Sequence, residues 1–365
     1  MPSPLPPVPR PLLACGPSPD AVLILSGAAA GRGRGSGEEE RADAASVARA
    51  EARGELVRLR AGVHVRRAEW EAVSARGRHL LRIRALARVS PGPLVLGGAS
   101  AAAVHALPRL APWPALVTLL DVPGIPPGRP AGTRIVRDPA HGRSRLVAAA
   151  DGVRVPGIAA AALAASHEAA MTAVRDAAPR GPGWFAHGLV ALDDALAPGR
   201  SSPVTRADLE GERELRGPGP WSRRAALLVA AADGAAASPV ESIARGVAHE
   251  AGLAPPGVGV AVGGHGRLAL AWARERVGLR IVGSAPGDRG TLDVDARAAD
   301  PREVDRWRVV VAGERDVLGA GRLRALLLHA GLEPERRAAP GAVGAGADPA
   351  GGRSRRSPPL GCAGE

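Results

Sequence analysis

The sequence predicts a mixed α/β protein, because segments with helical and with strand periodicity alternate along its 365 residues. Between Trp70 and Val89, apolar residues recur at three- and four-residue spacings, as they do on one face of a helix. Three runs at Gly257–Val262, Arg267–Trp272 and Val277–Val282 are typical of consecutive strands. Clusters of Pro and Gly separate these elements and mark the ends of the folded regions.

The length favours two or three domains flanked by unstructured ends. Pro- and Gly-rich composition predicts disorder at both termini, because such segments bury too little apolar surface to fold. The predicted organisation is a leader at 1–19, a first region at 20–68, a central α/β region at 69–200, a linker at 201–221, a third region at 222–333 and a tail at 334–365.

Two short features open the first region. Ala21–Leu25 is an apolar run that fits either a strand or the first turn of a helix. Gly31–Gly37 alternates Gly with Arg and Ser, and so many glycines predict a loop. A dinucleotide-binding loop is not supported, because three glutamates at Glu38–Glu40 follow and would repel a pyrophosphate.

A helix and a basic hairpin complete the first region. Arg41 to Arg53 is Ala-rich and free of Pro and Gly, and Gly54 is placed to end that helix. Two β-rich runs follow at Glu55–Arg60 and Val63–Val65, joined by a two-residue connection that contains Gly. A helix followed directly by a hairpin is the outline of a winged helix-turn-helix.

Strand and helix patterns then alternate to the end of the third region. In the central region we predict strands at Leu94–Leu96, Val117–Val122 and Arg134–Arg137, and helices ending at His105 and spanning Ala159–Ala178 and Gly188–Leu196. Beyond it we predict helices at Arg206–Leu215, Ser222–Ala232, Pro239–Ala251 and Gly321–Ala330, and a fourth strand at Arg306–Val311.

Composition excludes several kinds of chemistry. All 48 basic residues other than His are Arg, so a Schiff-base lysine and a phosphate-binding GK[ST] loop are absent. Cys15 and Cys362 are the only cysteines and provide neither a disulfide framework nor a metal cluster, which favours the cytoplasm. No apolar run approaches the length of a membrane span, so we expect no membrane contact, and we expect no cofactor.

The net charge of +12 favours a polyanionic partner, and much of it lies in one window. Residues 41–90 hold twelve arginines against five acidic residues, a net charge of +7. Duplex DNA favours such concentrated charge, because each neutralised phosphate releases counterions. Arg49 and Arg53 share a helix face suited to the major groove. The predicted DNA-binding residues are Arg49, Arg53, Arg58, Arg60, His64, Arg66 and Arg67.

The first two regions resemble AbiEi-type antitoxins, the predicted transcriptional regulators of type IV toxin–antitoxin systems. Arg53–Val65 is similar to their wing, typically RGxLxRLRRGVY, and Gly98–Pro108 is similar to their SHxSAAxLHGLP-like segment. The resemblance covers residues from 20 to about 200. It implies a winged helix that binds double-stranded DNA, a role in transcription regulation and a cognate toxin as protein partner.

The third region resembles small PD-(D/E)XK-type nuclease domains of the very-short-patch-repair kind. Ser238–Ser242 is similar to their helix motif SxxES, and Arg267–Trp272 is similar to their strand RVDFAW. This resemblance implies a restriction-endonuclease-like α/β/α fold, in which clustered carboxylates would hold Mg²⁺.

The acidic residues of that nuclease pattern are largely replaced. Ala269, Arg280 and Val282 stand at the acidic positions, and Glu241 alone of the usual set remains. We therefore predict no catalytic residues, no metal and no enzyme activity. Two alternatives stay open: an Mg²⁺-dependent DNA endonuclease with a displaced site, and a non-catalytic protein-interaction scaffold.

Other candidate sites find little support. Ser100 and His105 lie five residues apart without an acid to orient the imidazole, so a hydrolase triad is not indicated. The six tryptophans are spread along the chain and are expected to fill cores rather than form a stacking platform.

Overall fold

The computed structural model describes residues 21–29, 39–125, 128, 130–149, 152–176, 181–282 and 306–335. Helices and strands alternate through these residues, which confirms the mixed α/β class. The predicted leader at 1–19, the glycine loop at 31–37 and all but two residues of the predicted tail lie outside them. Among the described residues, no helix combines the length and apolar character needed to cross a bilayer.

The elements are numbered here in chain order. The strands are β1 Leu23–Leu25, β2 Glu39–Arg41, β3 Leu56–Arg60, β4 Val63–Arg66, β5 Leu94–Val95, β6 Val117–Asp121, β7 Thr133–Arg137, β8 Leu146–Ala148, β9 Val153–Pro156, β10 Gly257–Val262, β11 Gly266–Trp272, β12 Val277–Val282 and β13 Arg308–Gly313. The helices are α1 Ala44–Ala52, α2 Arg67–Ala72, α3 Ala75–Val89, α4 Gly98–Val104, α5 Ile158–Asp176, α6 Trp184–Leu196, α7 Arg206–Leu215, α8 Ser222–Ala231, α9 Pro239–Glu250, α10 Glu314–Leu318 and α11 Ala320–His329.

The first sheet is a four-stranded layer with the order β2-β1-β4-β3. Its strands β1 and β2 are parallel, and the other neighbours are antiparallel. Ile24 and Leu56 pack on one face against Val47 of α1. On the other face, the buried side chains of β1 and β4 pack against Leu81 and Ala85 of α3. The sheet therefore lies between two helices.

The predicted hairpin is present, but the helix-turn-helix is not found in the described part of residues 20–68. Gly62 turns the hairpin with a φ of +73°, and a Cβ there would lie 2.7 Å from the carbonyl oxygen of Ser26. That conformation and that contact both require glycine. However, α1 is the one α-helix described before the hairpin, and β2 already takes up residue 41. Residues 39–72, which also include α2, therefore form a helix–hairpin unit.

The helix predicted over Trp70–Val89 is two helices in the structure. Helix α2 ends at Ala72, and the Ser74 hydroxyl accepts a hydrogen bond from the amide of Gly77 to cap α3. An N-cap serine starts a new helix because it satisfies an amide that lacks a partner in the first turn. The spacing of apolar residues continues across the break between α2 and α3, so the sequence pattern alone predicts a single helix.

The central region contains two small sheets that lie edge to edge. One has the order β5-β9-β8, and the other pairs β6 with β7 in parallel. A bridge between Leu96 and Leu119 joins them, and α3 and α4 pack over Leu94, Leu96 and Val155. The strands β8 and β9 were not predicted, because three or four residues give little periodicity to recognise.

Helices α5 to α8 form a second core that crosses the predicted boundaries. Leu209 of α7 is fully buried among side chains of α5, α6 and α8, so the predicted linker at 201–221 contains a packed helix. Leu228 and Val229 of α8 belong to the same core, although they were assigned to the third region.

The last sheet has the order β10-β11-β12-β13, in which β12 and β13 are parallel. Leu270 and Leu279 pack against α9 and α11 in a core that also contains Ala186 and Val190 of α6. Helices α6 and α9 approach so closely that a Cβ on Gly246 would lie 2.3 Å from the Ala186 Cα. The central and third regions are therefore joined by shared packing rather than by a tether.

Candidate nucleic-acid interface

The helix–hairpin unit, residues 39–72, holds α1 and the hairpin in a fixed relation. The Asp43 carboxylate caps α1 by accepting from the amide of Ser46 at 3.0 Å. The Glu55 amide donates to the Ala50 carbonyl at 2.9 Å, and the Arg67 amide donates to the Glu55 carbonyl at 2.8 Å. These backbone hydrogen bonds join the end of α1 to both strands of the hairpin, so the helix and the hairpin form one surface.

Arg49 lies on the exposed face of α1. Its Nη2 donates to the Ser46 hydroxyl at 3.0 Å, and that hydroxyl contacts the Asp43 carboxylate at 3.3 Å. The hydrogen bond from the Ser46 amide lowers the pKa of the Asp43 carboxyl. The exposed residues Ala45, Ser46, Ala48 and Ala52 around Arg49 are short, and Glu51 is the long exposed side chain elsewhere on α1.

Three of the predicted DNA-binding arginines carry carboxylate partners. Arg53 donates to both oxygens of Glu55, at 2.6 and 3.0 Å. Arg66 pairs with Glu40 and lies 3.5 Å from Glu69. Arg67 lies 3.8 Å from Glu71, and its Nε donates to the carbonyl of Gly54. These carboxylates compete with phosphate for the three guanidinium groups.

The two arginines of β3 differ from each other. Arg60 is half-buried, and its Nη1 donates to the Ala131 carbonyl at 2.5 Å, which docks the hairpin on the central region. Burial lowers the pKa of Arg60. Arg58 is exposed and forms no ion pair with any described residue. Of these two, Arg58 has the guanidinium accessible to a ligand.

His64 is buried rather than exposed at the hairpin surface, which corrects its prediction as a DNA contact. Its side chain lies beneath α1 with 3% of the residue exposed, and its Nε2 is 3.6 Å from a Glu51 carboxylate oxygen. Burial lowers the pKa of His64, with a further lowering from nearby Arg58 and an opposing effect of Glu51. His64 packs the helix on the sheet and does not reach the outer surface.

The net charge of the helix–hairpin unit is lower than the net charge of residues 41–90, the window identified in the sequence. Residues 39–72 contain seven arginines and seven acidic residues, a net charge of zero. Of the net charge of +7 in the window 41–90, +5 comes from the five arginines of α3, and the other +2 arises because the window leaves out Glu39 and Glu40. The arginines of α3 serve the fold. Arg76 donates to the Ala103 carbonyl at 2.8 Å, Arg78 donates to the Trp70 carbonyl at 2.9 Å, and Arg82 stacks over the Trp70 ring. Only individual exposed guanidinium groups of the unit remain for an anion.

Glu241, the remaining acid of the nuclease-like pattern, is part of an internal ion pair. The residue is 4% exposed, and its two carboxylate oxygens accept from Arg267 at 2.8 and 2.9 Å. Its Oε2 also accepts from the Ala237 amide. At the replaced acidic positions, Ala269 is buried and Arg280 donates to the His265 carbonyl. Among the described residues, no group of three or more His, Cys, Asp or Glu side chains is placed to hold a metal ion.

The structure brings Ser100 next to His79, a pair that sequence reasoning did not find. The hydroxyl of Ser100 lies 3.0 Å from His79 Nε2, and Nδ1 lies 2.9 Å from the Pro114 carbonyl. Donation from Nδ1 to that carbonyl leaves Nε2 as the acceptor for the serine proton. Both side chains are fully buried, and Ser100 also accepts from the Thr118 amide at 2.8 Å. The pair therefore stabilises the core and is not exposed to a substrate.

Two tryptophan rings are in contact although the residues lie far apart in the sequence. The rings of Trp184 and Trp221 are 6.2 Å apart and edge-on. His167 stacks on Trp221 at 4.5 Å, and Arg224 lies over Trp184 at 5.3 Å. Side chains of the same chain therefore already occupy faces of both rings that a nucleobase would need.

A groove of about 750 Å³ separates α7 from the loop at Arg143–Arg145. Most of its polar lining is engaged within the protein. Ser144 donates to Glu212 at 2.7 Å, Arg143 donates to the Leu215 carbonyl, and Asp208 accepts from Thr205. The groove offers few unengaged polar groups to define a ligand.

Comparison with known proteins gives no independent assignment. No described protein family, no curated protein and no solved structure matches the chain significantly.

Proposed function

We propose that this protein binds double-stranded DNA through the outer surface of its helix–hairpin unit. The observation that carries the proposal is that Arg49 on α1 and Arg58 on β3 are both exposed within this one packed unit. Both guanidinium groups are exposed, and neither forms an ion pair with a described residue. A helix of small residues can approach DNA closely, and a hairpin beside it can contact the phosphate backbone.

The neutral charge of the unit limits how strongly phosphates contribute to this binding. Arg53, Arg66 and Arg67 would have to leave carboxylate partners before they contact DNA. Each phosphate contact lowers the slope of log affinity against log salt by about 0.9. With two to four contacts, we expect a slope between about −2 and −4.

Fluorescence anisotropy of the full-length protein with labelled duplexes tests the proposal, over about 50–200 mM salt. We expect Arg58→Ala to weaken binding to all sequences alike and to make the slope shallower by about 1. Arg324→Ala is the matched control, because Arg324 is an exposed arginine of α11 outside the unit. Binding that does not respond to salt, or equal losses in Arg58→Ala and Arg324→Ala, would contradict the proposal.

The resemblance to AbiEi-type antitoxins supplies the biological part of this proposal. We infer a cytoplasmic transcriptional repressor with a cognate toxin as partner. A reporter placed behind the gene's own promoter should be repressed by the wild-type protein and released by Arg49→Ala combined with Arg58→Ala. Unchanged repression by that double variant would oppose a repressor that acts through this surface.

Neither the endonuclease nor the scaffold alternative is proposed. The Glu241 carboxylate is held by Arg267, which leaves the nuclease alternative without a metal-binding acid at the expected position. No described feature identifies a protein partner for a scaffold.

A further inference from the structure

We propose that Arg49 reads a guanine through the major groove and is the specificity-determining residue of α1. This inference rests on the proposed DNA binding and goes beyond it, because phosphate contacts alone carry no sequence information. It follows from three features of α1: its exposed face, the support of the Arg49 side chain, and the engagement of the neighbouring arginines.

The exposed face of α1 is suited to close approach. Helix α1 has nine residues, and an α-helix with its side chains is about 10–12 Å across. The major groove of B-DNA is about 12 Å wide and admits an α-helix. Around Arg49, the exposed positions Ala45, Ala48 and Ala52 carry single methyl groups. These methyl groups do not hold the helix away from the base edges, and each can contact a thymine methyl.

The Arg49 side chain is supported before any ligand arrives. Its Nη2 donates to the Ser46 hydroxyl at 3.0 Å, and Ser46 in turn contacts the capping carboxylate of Asp43. A guanidinium group has five N–H donors, so one hydrogen bond leaves four. Two parallel donors match the O6 and N7 acceptors of guanine, which is the most frequent specific contact of arginine in DNA. Holding the side chain in advance reduces the entropy lost on binding.

Neighbouring arginines are less suited to read a base. Arg53 donates to both oxygens of Glu55, which uses the fork that guanine would need. Arg58 lies on β3 rather than on the helix, and we assign it to a contact with the phosphate backbone. We therefore assign base reading to Arg49 and phosphate contact to Arg58.

A selection from randomised duplexes with the full-length protein is the first experiment. We expect one guanine to be enriched, and we expect replacement of that base to weaken wild-type binding about tenfold or more. Arg49→Ala should remove the preference at that position. Arg49→Lys should keep the charge and weaken the preference, because lysine lacks the rigid planar fork of arginine. Arg58→Ala is the control: it should weaken binding to the selected and the altered duplex by the same factor.

Base analogues in the selected duplex then test the atoms involved. Substituting 7-deazaguanine removes the N7 acceptor and should weaken wild-type binding but not Arg49→Ala binding. Inosine keeps O6 and N7 and lacks only the minor-groove amino group, so it should be bound like guanine. Urea unfolding of Arg49→Ala checks that the exposed substitution leaves the fold intact.

The outcomes separate this inference from the proposed function. If the protein binds DNA in an Arg58- and salt-dependent way but shows no guanine preference, the Arg49 inference is wrong and the DNA-binding proposal stands. A guanine preference that survives Arg49→Ala, or insensitivity to 7-deazaguanine, also overturns the inference. If the wild type binds no duplex at all, the proposed function fails, and the base-reading role falls with it.

Discussion

Two regions of this molecule use the same chemistry, an arginine beside a carboxylate, with different physical consequences. In the helix–hairpin unit, Arg53 and Glu55 are both more than half exposed. At the junction of α6 and α9, Arg245 donates to both carboxylate oxygens of Asp193 at 2.5 Å, and the Asp193 side chain is 1% exposed. Water screens the first pair and is excluded from the second.

This difference shows why the number of arginines says little about function in this chain. Every basic role other than that of His falls to Arg, because the sequence contains no Lys. Many arginines donate to backbone carbonyls or to buried carboxylates, as Arg206 does at the end of α8 and Arg216 does at the Ala160 carbonyl. An arginine is a candidate for binding only when its guanidinium is exposed and not paired with a carboxylate, and that depends on the fold.

The largest expected effect is loss of the buried ion pair. Arg245→Ala leaves the Asp193 carboxylate buried without its cation, and breaking such a pair costs about 3–5 kcal/mol in the free energy of unfolding. Burial already raises the pKa of Asp193, and Arg245 opposes that rise. Urea unfolding measures the loss. The control Arg53→Ala should leave the unfolding midpoint unchanged, because water screens its exposed partner.

A double variant keeps this prediction testable if Arg245→Ala does not fold. Replacing Asp193 by Leu together with Arg245 by Met fills the space with apolar groups and leaves no buried charge. We expect it to be more stable than either single substitution. Equal effects of Arg245→Ala and Arg53→Ala would contradict the distinction between the two regions.

The next effect concerns pH and His79, on the side of α3 that faces the central region. Burial lowers the pKa of His79 to about 4, whereas the unfolded chain has the ordinary value of 6.5. As the pH falls below 6.5, the unfolded state takes up the proton first, so the stabilisation present above 6.5 is lost on approaching pH 4. The loss is about 3 kcal/mol by pH 4.

Unfolding free energies of the wild type and His79→Gln between pH 7 and pH 4 isolate this contribution, because other titrating groups cancel in the difference. The wild type should become less stable with falling pH more steeply than the variant. Parallel pH profiles would show that burial does not hold the His79 imidazole neutral.

A smaller effect is expected from packing at the same helix junction. Gly246→Ala introduces a Cβ 2.3 Å from the Ala186 Cα, so α6 and α9 must separate. Overpacking of this kind costs about 1–3 kcal/mol. Gly211→Ala in α7 is the matched control, because a Cβ there meets nothing within 4 Å. That exchange should stabilise the helix by about 0.5–1 kcal/mol. A stabilising Gly246→Ala would mean that the junction is looser than the structure indicates.

Local patterns predicted most of the elements but not how they combine. The hairpin was predictable because Gly62 supplies a left-handed turn between two β-rich runs. Helices α5, α7 and α9 were predictable from Ala-rich or capped segments with clear ends. The short strands β8 and β9 were not, and the start of α3 at Ser74 was hidden within a continuous apolar period.

The candidate interface was only partly predictable for a physical reason. Sequence placed Arg49, Arg53 and Arg58 in a helix and a hairpin, because spacing fixes which side chains share an element. It could not show that His64 is buried under α1 or that Arg60 is bound to the Ala131 carbonyl. Both contacts depend on how α1 and the central region dock on the hairpin.

By itself, the sequence determined the α/β class, the order of most helices and strands, and the absence of lysine chemistry, because these follow from composition and local periodicity. Only the tertiary structure decided which buried polar groups are paired, since their partners lie far apart along the chain. Arg245 and Asp193 are separated by 52 residues, and His79 and Ser100 by 21. The packing of whole elements sets a side chain's partner, and it also sets which guanidinium groups remain exposed for a ligand.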